Sequence, residues 1–172
     1  MTPSFETKPR TCLWRSAEPV DEELLFQLFV EAQQHIEELQ LDPAMWRSLV
    51  GMQYKGRRQS WAASYPGAVD SILCLQDELG ASVPVGRLLV DRRPGCWRIV
   101  DVAVLAAYRN IGLGSWAVKS CQQQAHAAGA RLELQVRPEN PARLLYERLG
   151  FKAVSESPLA VEMIWSEARM VQ

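Results

Sequence analysis

The residues of this sequence best suited to chemistry lie between Trp97 and Ala117, in the stretch WRIVDVAVLAAYRNIGLGSWA. An apolar, β-branched run from Ile99 to Leu105 reads as a buried strand. It gives way to a small-residue loop, Arg109-Asn110-Ile111-Gly112-Leu113-Gly114. Leu113, Trp116, Ala117, Cys121, Ala125 and Ala128 then recur at helical spacing. A strand, a glycine loop and a helix N-terminus together make an anion site, because the first-turn N–H groups lack partners and carry roughly half a positive charge. Glycine removes the side chains that would hold an anion away from those groups. A phosphate is expected here.

Asp101 is the ionisable residue inside this otherwise apolar strand. A buried carboxylate is costly unless paired, so the position has two readings: a working base, or an ion pair with a neighbouring Arg87 or Arg98. The other chemistry-bearing types are sparse. His35 and His126 stand alone, with no HxxxH and no Cys/His cluster, so no metal site is expected. His35 sits near the apolar face of a helix and reads as a structural histidine, and His126 as a solvent-facing residue favourable to a helix C-terminus. Cys12, Cys74, Cys96 and Cys121 are widely spaced without a CxxC pair and read as small buried hydrophobes rather than catalytic thiols.

The whole chain must be able to position these groups. Its 172 residues fit one domain, and a hydrophobic fraction of 48% is ample for a core. A formal charge of −1 argues against nonspecific binding to nucleic acid or anionic membrane. No apolar run approaches the roughly 18 residues that span a bilayer, and nothing directs the protein out of the cytoplasm. Residues 1–10, polar with two prolines, are expected to be disordered, leaving 11–172 as the domain.

The elements follow from periodicity and punctuation. Cys12 to Ala17 reads as a short strand. Pro19 to Leu41 reads as an amphipathic helix, with Asp21, Glu22 and Glu23 in its first turn and Glu37, Glu38 and Asp42 near the junction with the next. That next helix starts at Asp42-Pro43 as N-cap and first helical residue, contains Gly51 and Gly56, and stops before Tyr65-Pro66-Gly67. Ser71–Leu75, Val83–Asp91 and Trp97–Leu105 read as strands joined by tight turns, hence as antiparallel neighbours. After the glycine loop and its helix, Arg131–Val136 reads as a strand parallel to the one before, because a helical crossover joins them. Asn140 is expected to cap a short helix that ends at Gly150, and Phe151–Glu156 and Ala160–Trp165 to close the chain as a hairpin. The order is β-α-α-β-β-β-α-β-α-β-β, a mixed α/β fold.

That order, together with two motifs, resembles the GCN5-related N-acetyltransferase (GNAT) family. The family pattern Gln/Arg-x-x-Gly-x-Gly/Ala appears as Arg109-Asn110-Ile111-Gly112-Leu113-Gly114, preceded by Val102-Ala103-Val104. A second family feature appears as Asn140-Pro141-Ala142-Arg143-Leu144-Leu145-Tyr146-Glu147-Arg148-Leu149-Gly150-Phe151. The likeness spans about residues 83 to 156. It implies a largely antiparallel central sheet with one parallel, splayed strand pair and helices on both faces. It also implies acetyl-CoA as co-substrate. The pyrophosphate would sit on the backbone N–H groups of Asn110, Ile111, Gly112, Leu113, Gly114 and Ser115, with Arg109 at the loop entrance or capping the strand. The pantetheine arm would pair with the strand through Val102, Ala103 and Val104, with Asn140 beside the arm and Tyr146 near the sulfur.

The reaction so implied is direct transfer of an acetyl group to a primary amine. Acyl transfer from a thioester needs a free amine, an oxyanion donor and a proton for the leaving thiolate. Tyr146 can supply that proton, or can simply pack beside Ala142, Leu145 and Leu149. Asp101 or relayed water would take the amine proton. The implied partners are a small-molecule or peptide amine, without nucleic acid or membrane; a homodimer stays open. Two rivals are weighed. Gly112-Leu113-Gly114-Ser115-Trp116-Ala117 also fits a dinucleotide fingerprint, but it follows the wrong strand, and no GxxxxGK[ST] is present. A non-catalytic acyl-CoA-binding module on the same fold is the serious alternative, and Tyr146 separates it from an enzyme.

Overall fold

The computed structural model describes residues 11–33, 41–76 and 79–167. The expectations for residues 1–10 and for His35, Glu37 and Glu38 lie outside them. Strand β1 is Thr11–Ser16, and a 3-10 turn at Pro19–Asp21 leads into α1, Glu22–Glu31. Helix α2 is Pro43–Ser64, followed by β2, Ala68–Gln76, β3, Ser82–Arg93, and β4, Cys96–Val104. A second 3-10 turn at Ala106–Tyr108 precedes α3, Leu113–Ala127. Strand β5 is Arg131–Val136, α4 is Ala142–Arg148, β6 is Lys152–Glu156 and β7 is Val161–Trp165.

The seven strands form one sheet in the order β1-β2-β3-β4-β5-β7-β6, with β4 at its centre. Every pairing is antiparallel except β4 with β5, as the helical crossover between them requires. Side chains alternate across the sheet. In β2, Ile72 and Cys74 pack with Leu25, Phe29, Val50 and Tyr54 under α1 and α2, whereas Leu73 and Leu75 pack with Leu113 of α3 on the other face. The larger core joins Leu88, Val90, Leu132, Leu134 and Met163 of the sheet to Val118, Cys121 and Ala125 of α3 and to Tyr146 of α4. Helices therefore cover both faces, two on each.

Several boundaries differ from the periodicity. The first helix does not run from Pro19: Asp21, expected in its first turn, is 3% exposed and its oxygens accept from Arg15 at 2.6 Å. The same carboxylate accepts from the Glu18 N–H at 2.8 Å, and this bond fastens the tight 3-10 start. The helix also stops at Glu31, where the Ala32 N–H reaches back to Phe29 and Val30. Helix α2 passes unbroken through Gly51 and Gly56, anchored by Asp42, whose Oδ1 accepts from the Ala44 and Met45 N–H groups at 2.9 and 3.1 Å. Helix α4 begins at Ala142, and Asn140 still caps it by accepting the Ala142 N–H at 2.9 Å. Its far end closes at Gly150, φ +87°, with the Phe151 N–H bonded to the Tyr146 carbonyl at 3.0 Å.

Candidate acyl-transfer site

The loop from Arg109 to Gly112 is exposed, and its shape depends on two left-handed residues, Asn110 at φ +63° and Gly112 at φ +88°. A glycine is needed at the second, since a side chain there is strained even though the space around it is open. The first bond of α3 runs from the Trp116 N–H to the Gly112 carbonyl at 2.9 Å. Upstream of it, the six N–H groups from Asn110 to Ser115 donate to no group among the described residues. Leu113, 6% exposed, anchors the turn by packing on Leu73, Leu75 and Val85. A buried apolar residue thus anchors a run of unpaired N–H donors at a helix N-terminus, a pattern able to receive an anion.

Beside this loop the sheet opens. Strands β4 and β5 are in register from Cys96–Arg131 to Ile99–Leu134, and past Ile99 the pairing ceases. A bulge sits at that point: Leu89 faces Asp101 and Val90 faces Ile99, so Val100 has no counterpart in β3. The Leu105 N–H bonds to Val85, at the β3 side, at 2.9 Å. By strand alternation the peptide groups of Val102 and Val104 face the departed β5. The Val104 carbonyl is taken by Arg109 Nε at 2.9 Å. Arg109 Nη2 and the Ala106 N–H both reach Glu31 Oε2, at 3.3 and 2.6 Å, tying the end of α1 to this loop. On the opposite edge of β4, Gly86 lets β3 approach closely: a Cβ there would lie 2.7 Å from the Ala103 carbonyl.

A narrow cleft of about 30 Å³, open to solvent, lies between the sheet and the α1–α2 pair. Asp101 and Ala103 line its floor, with Arg87 from β3. Arg87 is buried and makes two bonds to Asp70, Nε–Oδ1 at 2.8 Å and Nη2–Oδ2 at 2.7 Å. Its third nitrogen lies 3.3 Å from Asp101 Oδ2. Arg98 instead pairs with Glu162 and Glu133. Asp101 is thus the second, longer partner of an arginine already satisfied, and 28% of its side chain remains exposed. Crowding by the surrounding protein pushes its carboxyl above the usual carboxylate range, against the pull of the Arg87 and Arg57 guanidiniums.

Tyr146 enters from α4. Its ring is 7% exposed and meets Phe151 edge-on at 5.9 Å. The hydroxyl makes no hydrogen bond among the described residues, yet no enclosed side-chain polar atom there lacks a partner, so the hydroxyl reaches open space. Packing and availability are both features of this residue. Burial, with Asp101 nearby, pushes its pKa up to about 12, so it holds its proton throughout the neutral range. The thiols of Cys12, Cys96 and Cys121 are pushed up by burial as well, the last to about 12, which suppresses thiolate chemistry.

Loop, open strand edge, Asp101 and Tyr146 all adjoin β4 or the helices packed beside it. Asn140 is exposed, with its Oδ1 spent on the Ala142 N–H. His126 stays on the surface, Nδ1 2.8 Å from Glu167. Among the described residues no group of three or more His, Cys, Asp or Glu is placed to hold a metal, and no helix is long and apolar enough to cross a membrane. The sequence reading did not single out Arg57 and Trp61, which wall the cleft, nor Gly86 and Glu31. One signal was present: α2 carries Arg47, Lys55, Arg57 and Arg58 and no acidic residue. A depression along α2, lined by Arg47, Met52, Lys55 and Gln59, shares no residue with the cleft.

Comparison with known proteins agrees with this geometry. No curated protein sequence matches the chain significantly. Among solved structures, the chain resembles PaiA N-acetyltransferase from Thermoplasma acidophilum in complex with coenzyme A, at TM-score 0.66 and 12% identity, covering 91% of this chain and 99% of that one. It also resembles a domain from Methanocaldococcus jannaschii, at TM-score 0.67 and 18% identity over 91% and 99% of the two chains. An acetyltransferase from Thermus thermophilus matches at TM-score 0.62 and 20% identity over 90% and 96%. At such identities these likenesses speak for the fold. The sequence model described as the acetyltransferase (GNAT) family matches residues 26–151, which take in α2, strands β2 to β5, the amide loop and Tyr146. With most of the chain inside that match, the protein belongs to the GNAT acetyltransferase family.

Proposed function

We propose that this protein transfers the acetyl group of acetyl-CoA directly to a primary amine bound in the cleft under α1 and α2. The observation that carries the reading is the run of six unsatisfied N–H groups, Asn110 to Ser115, next to a strand edge left unpaired past Ile99. The first suits a diphosphate, and the second suits an extended arm that hydrogen-bonds as a strand would. Coenzyme A bound to the neighbour from Thermoplasma acidophilum supports the same choice.

When bound, acetyl-CoA supplies an activated thioester carbonyl. The Val102 and Val104 peptide N–H groups are aligned to hold the arm and to donate to the carbonyl oxygen as charge builds on it. A bond forms from the amine nitrogen to the carbonyl carbon and the carbon–sulfur bond breaks. Tyr146, protonated throughout the neutral range, gives a proton to the departing sulfur. Asp101, exposed at the cleft floor and with a pKa displaced toward neutrality, takes the proton released by the amine, directly or through one water. Arg87 keeps that carboxylate oriented while drawing most of its own neutralisation from Asp70.

Calorimetric titration of the purified chain with acetyl-CoA tests this reading. Saturable binding with one site per chain is expected. No heat at millimolar acetyl-CoA would overturn it.

A further inference from the structure

Arg57 is anomalous among the arginines of the cleft. Arg58 pairs with Glu22, and Arg87 with Asp70 and Asp101. Arg57, half-buried in the same wall, has no hydrogen bond and no carboxylate within ion-pair distance among the described residues. Two aromatic rings hold it instead, with its guanidinium carbon 4.9 Å from the Phe29 centroid and 5.7 Å from that of Trp61. Stacking of this kind fixes the plane of a guanidinium and strips it of water while leaving its N–H fork free. The charges that act on it are Asp101, which favours the cation, and Arg137, which opposes it. Arg137, just past β5, is exposed and also forms no ion pair among the described residues. Arg57 thus sits on a helix that carries four basic residues and no acidic one, with a second cation, Arg137, acting on it from beyond β5. Leaving a desolvated guanidinium fork unpaired is costly, and an anion that enters the cleft would remove the cost.

Asp101 and Arg57 line one cleft without touching each other, a carboxylate beside the place where the amine must react and a guanidinium further up the wall. Of the remaining lining, Arg58 and Arg87 are already paired with carboxylates, and Leu25, Leu28 and Phe29 give the wall an apolar side. We propose that the acceptor is a free amino acid with an apolar side chain, its amino group over Asp101 and its carboxylate held by the Arg57 fork. Resting on the acetyl-transfer reading above, this narrows its amine to an amino carboxylate and makes Arg57 a binding residue rather than a catalytic one.

The test pairs amines that differ only in the carboxylate. Release of CoA thiol is measured with L-phenylalanine and L-leucine, and with phenethylamine, isopentylamine and L-phenylalaninamide. Loss of one charge-assisted hydrogen-bonded pair corresponds to about tenfold to a hundredfold in kcat/KM. The carboxylated acceptors are expected to lead by at least that factor. In Arg57→Gln the lead should vanish, the KM for acetyl-CoA should stay unchanged, and Arg57→Lys should restore part of the lead. Calorimetry of N-acetyl-L-phenylalanine against N-acetylphenethylamine on the unmodified protein asks the same question without a variant, and tighter binding of the former is expected. Equal turnover of both series, preference for the decarboxylated amines or the amide, or an unchanged lead in Arg57→Gln would overturn the inference while leaving acetyl transfer intact. Binding of acetyl-CoA with no turnover of either amino acid would overturn it too. Failure to bind acetyl-CoA would instead sink the underlying reading.

Discussion

Two acids in this site share a displacement toward the protonated form and draw opposite consequences from it. For Tyr146, a pKa of about 12 keeps a proton on the hydroxyl at every pH at which the protein works. For Asp101, the rise moves a carboxylate closer to the range in which it can accept a proton usefully. Tyr146→Phe keeps the ring against Phe151 and removes only the donor, so kcat should fall by roughly a hundredfold to ten-thousandfold with little change in acetyl-CoA affinity. Stopped assays beside a calorimetric titration check both halves. As the proposed base, Asp101 acts only when deprotonated, so kcat should climb with pH through an inflection above the ordinary aspartate value of about 3.9. A kcat–pH profile of Asp101→Asn should lack that limb; its persistence would assign the limb to another group. Asp101 was visible in the sequence as a lone charge in an apolar strand, and of its two readings the ion pair with Arg87 is present while the role of base is the proposal. It is paired with Arg87 and exposed to the cleft at once. Arg57 was not legible, because its meaning lies in the partner it lacks, and only the folded arrangement reveals that.

At the scale of elements, the amide loop was readable for a simple reason. Its geometry is local: a left-handed glycine, a helix start and a buried leucine within a few residues of one another. Gly112 and Gly114 separate here. A methyl on Gly112 meets open space but must adopt φ +88°, whereas one on Gly114 makes an ordinary 3.7 Å contact with Leu145. Gly112→Ala should cost about 1–2 kcal/mol in loop strain and weaken acetyl-CoA binding about tenfold, with Gly114→Ala within about threefold of the unmodified chain. Titration of both variants decides it, and equal losses would count against this account of the loop. The bulge at Val100 was not legible, nor was the contact that Gly86 allows with Ala103. Both depend on how β3 and β4 align, and register is a property of two strands rather than of either sequence. The early stop of α1 belongs with them: its apolar spacing continued, but Glu31 is drawn to the Ala106 N–H and Arg109.

At the scale of the molecule, chain order alone led to the topology. Short turns between β2, β3 and β4 allowed only antiparallel neighbours, and the crossover through α3 allowed only a parallel β5. The order beyond β5, with β7 inside β6, was left open by a hairpin that can add by either edge. Three adjacent strands are also joined through side chains, Asp70 of β2 to Arg87 of β3 to Asp101 of β4. The two ends of that chain differ in their effect on stability. Removing Asp70 leaves Arg87 buried without its bidentate partner, so Asp70→Asn should cost about 3 kcal/mol. Asp101 holds its proton more tightly folded than unfolded, so its favourable contribution is complete below the unfolded pKa and is lost as pH rises through the folded one. At neutral pH, Asp101→Asn should therefore leave the melting temperature unchanged or higher. Thermal unfolding of the pair at pH 7 checks both signs, and a large loss in Asp101→Asn would make that residue structural.

The open edge of β4 and the loop beside it offer donors that belong to the peptide backbone, which point substitution cannot erase. The acceptor wall is built the other way, from arginine, tryptophan and phenylalanine side chains carried on helices. Under the proposed acetyl transfer, descendants of this chain can thus exchange one clientele for another by a handful of codon changes in α1 and α2 while their acyl donor stays the same.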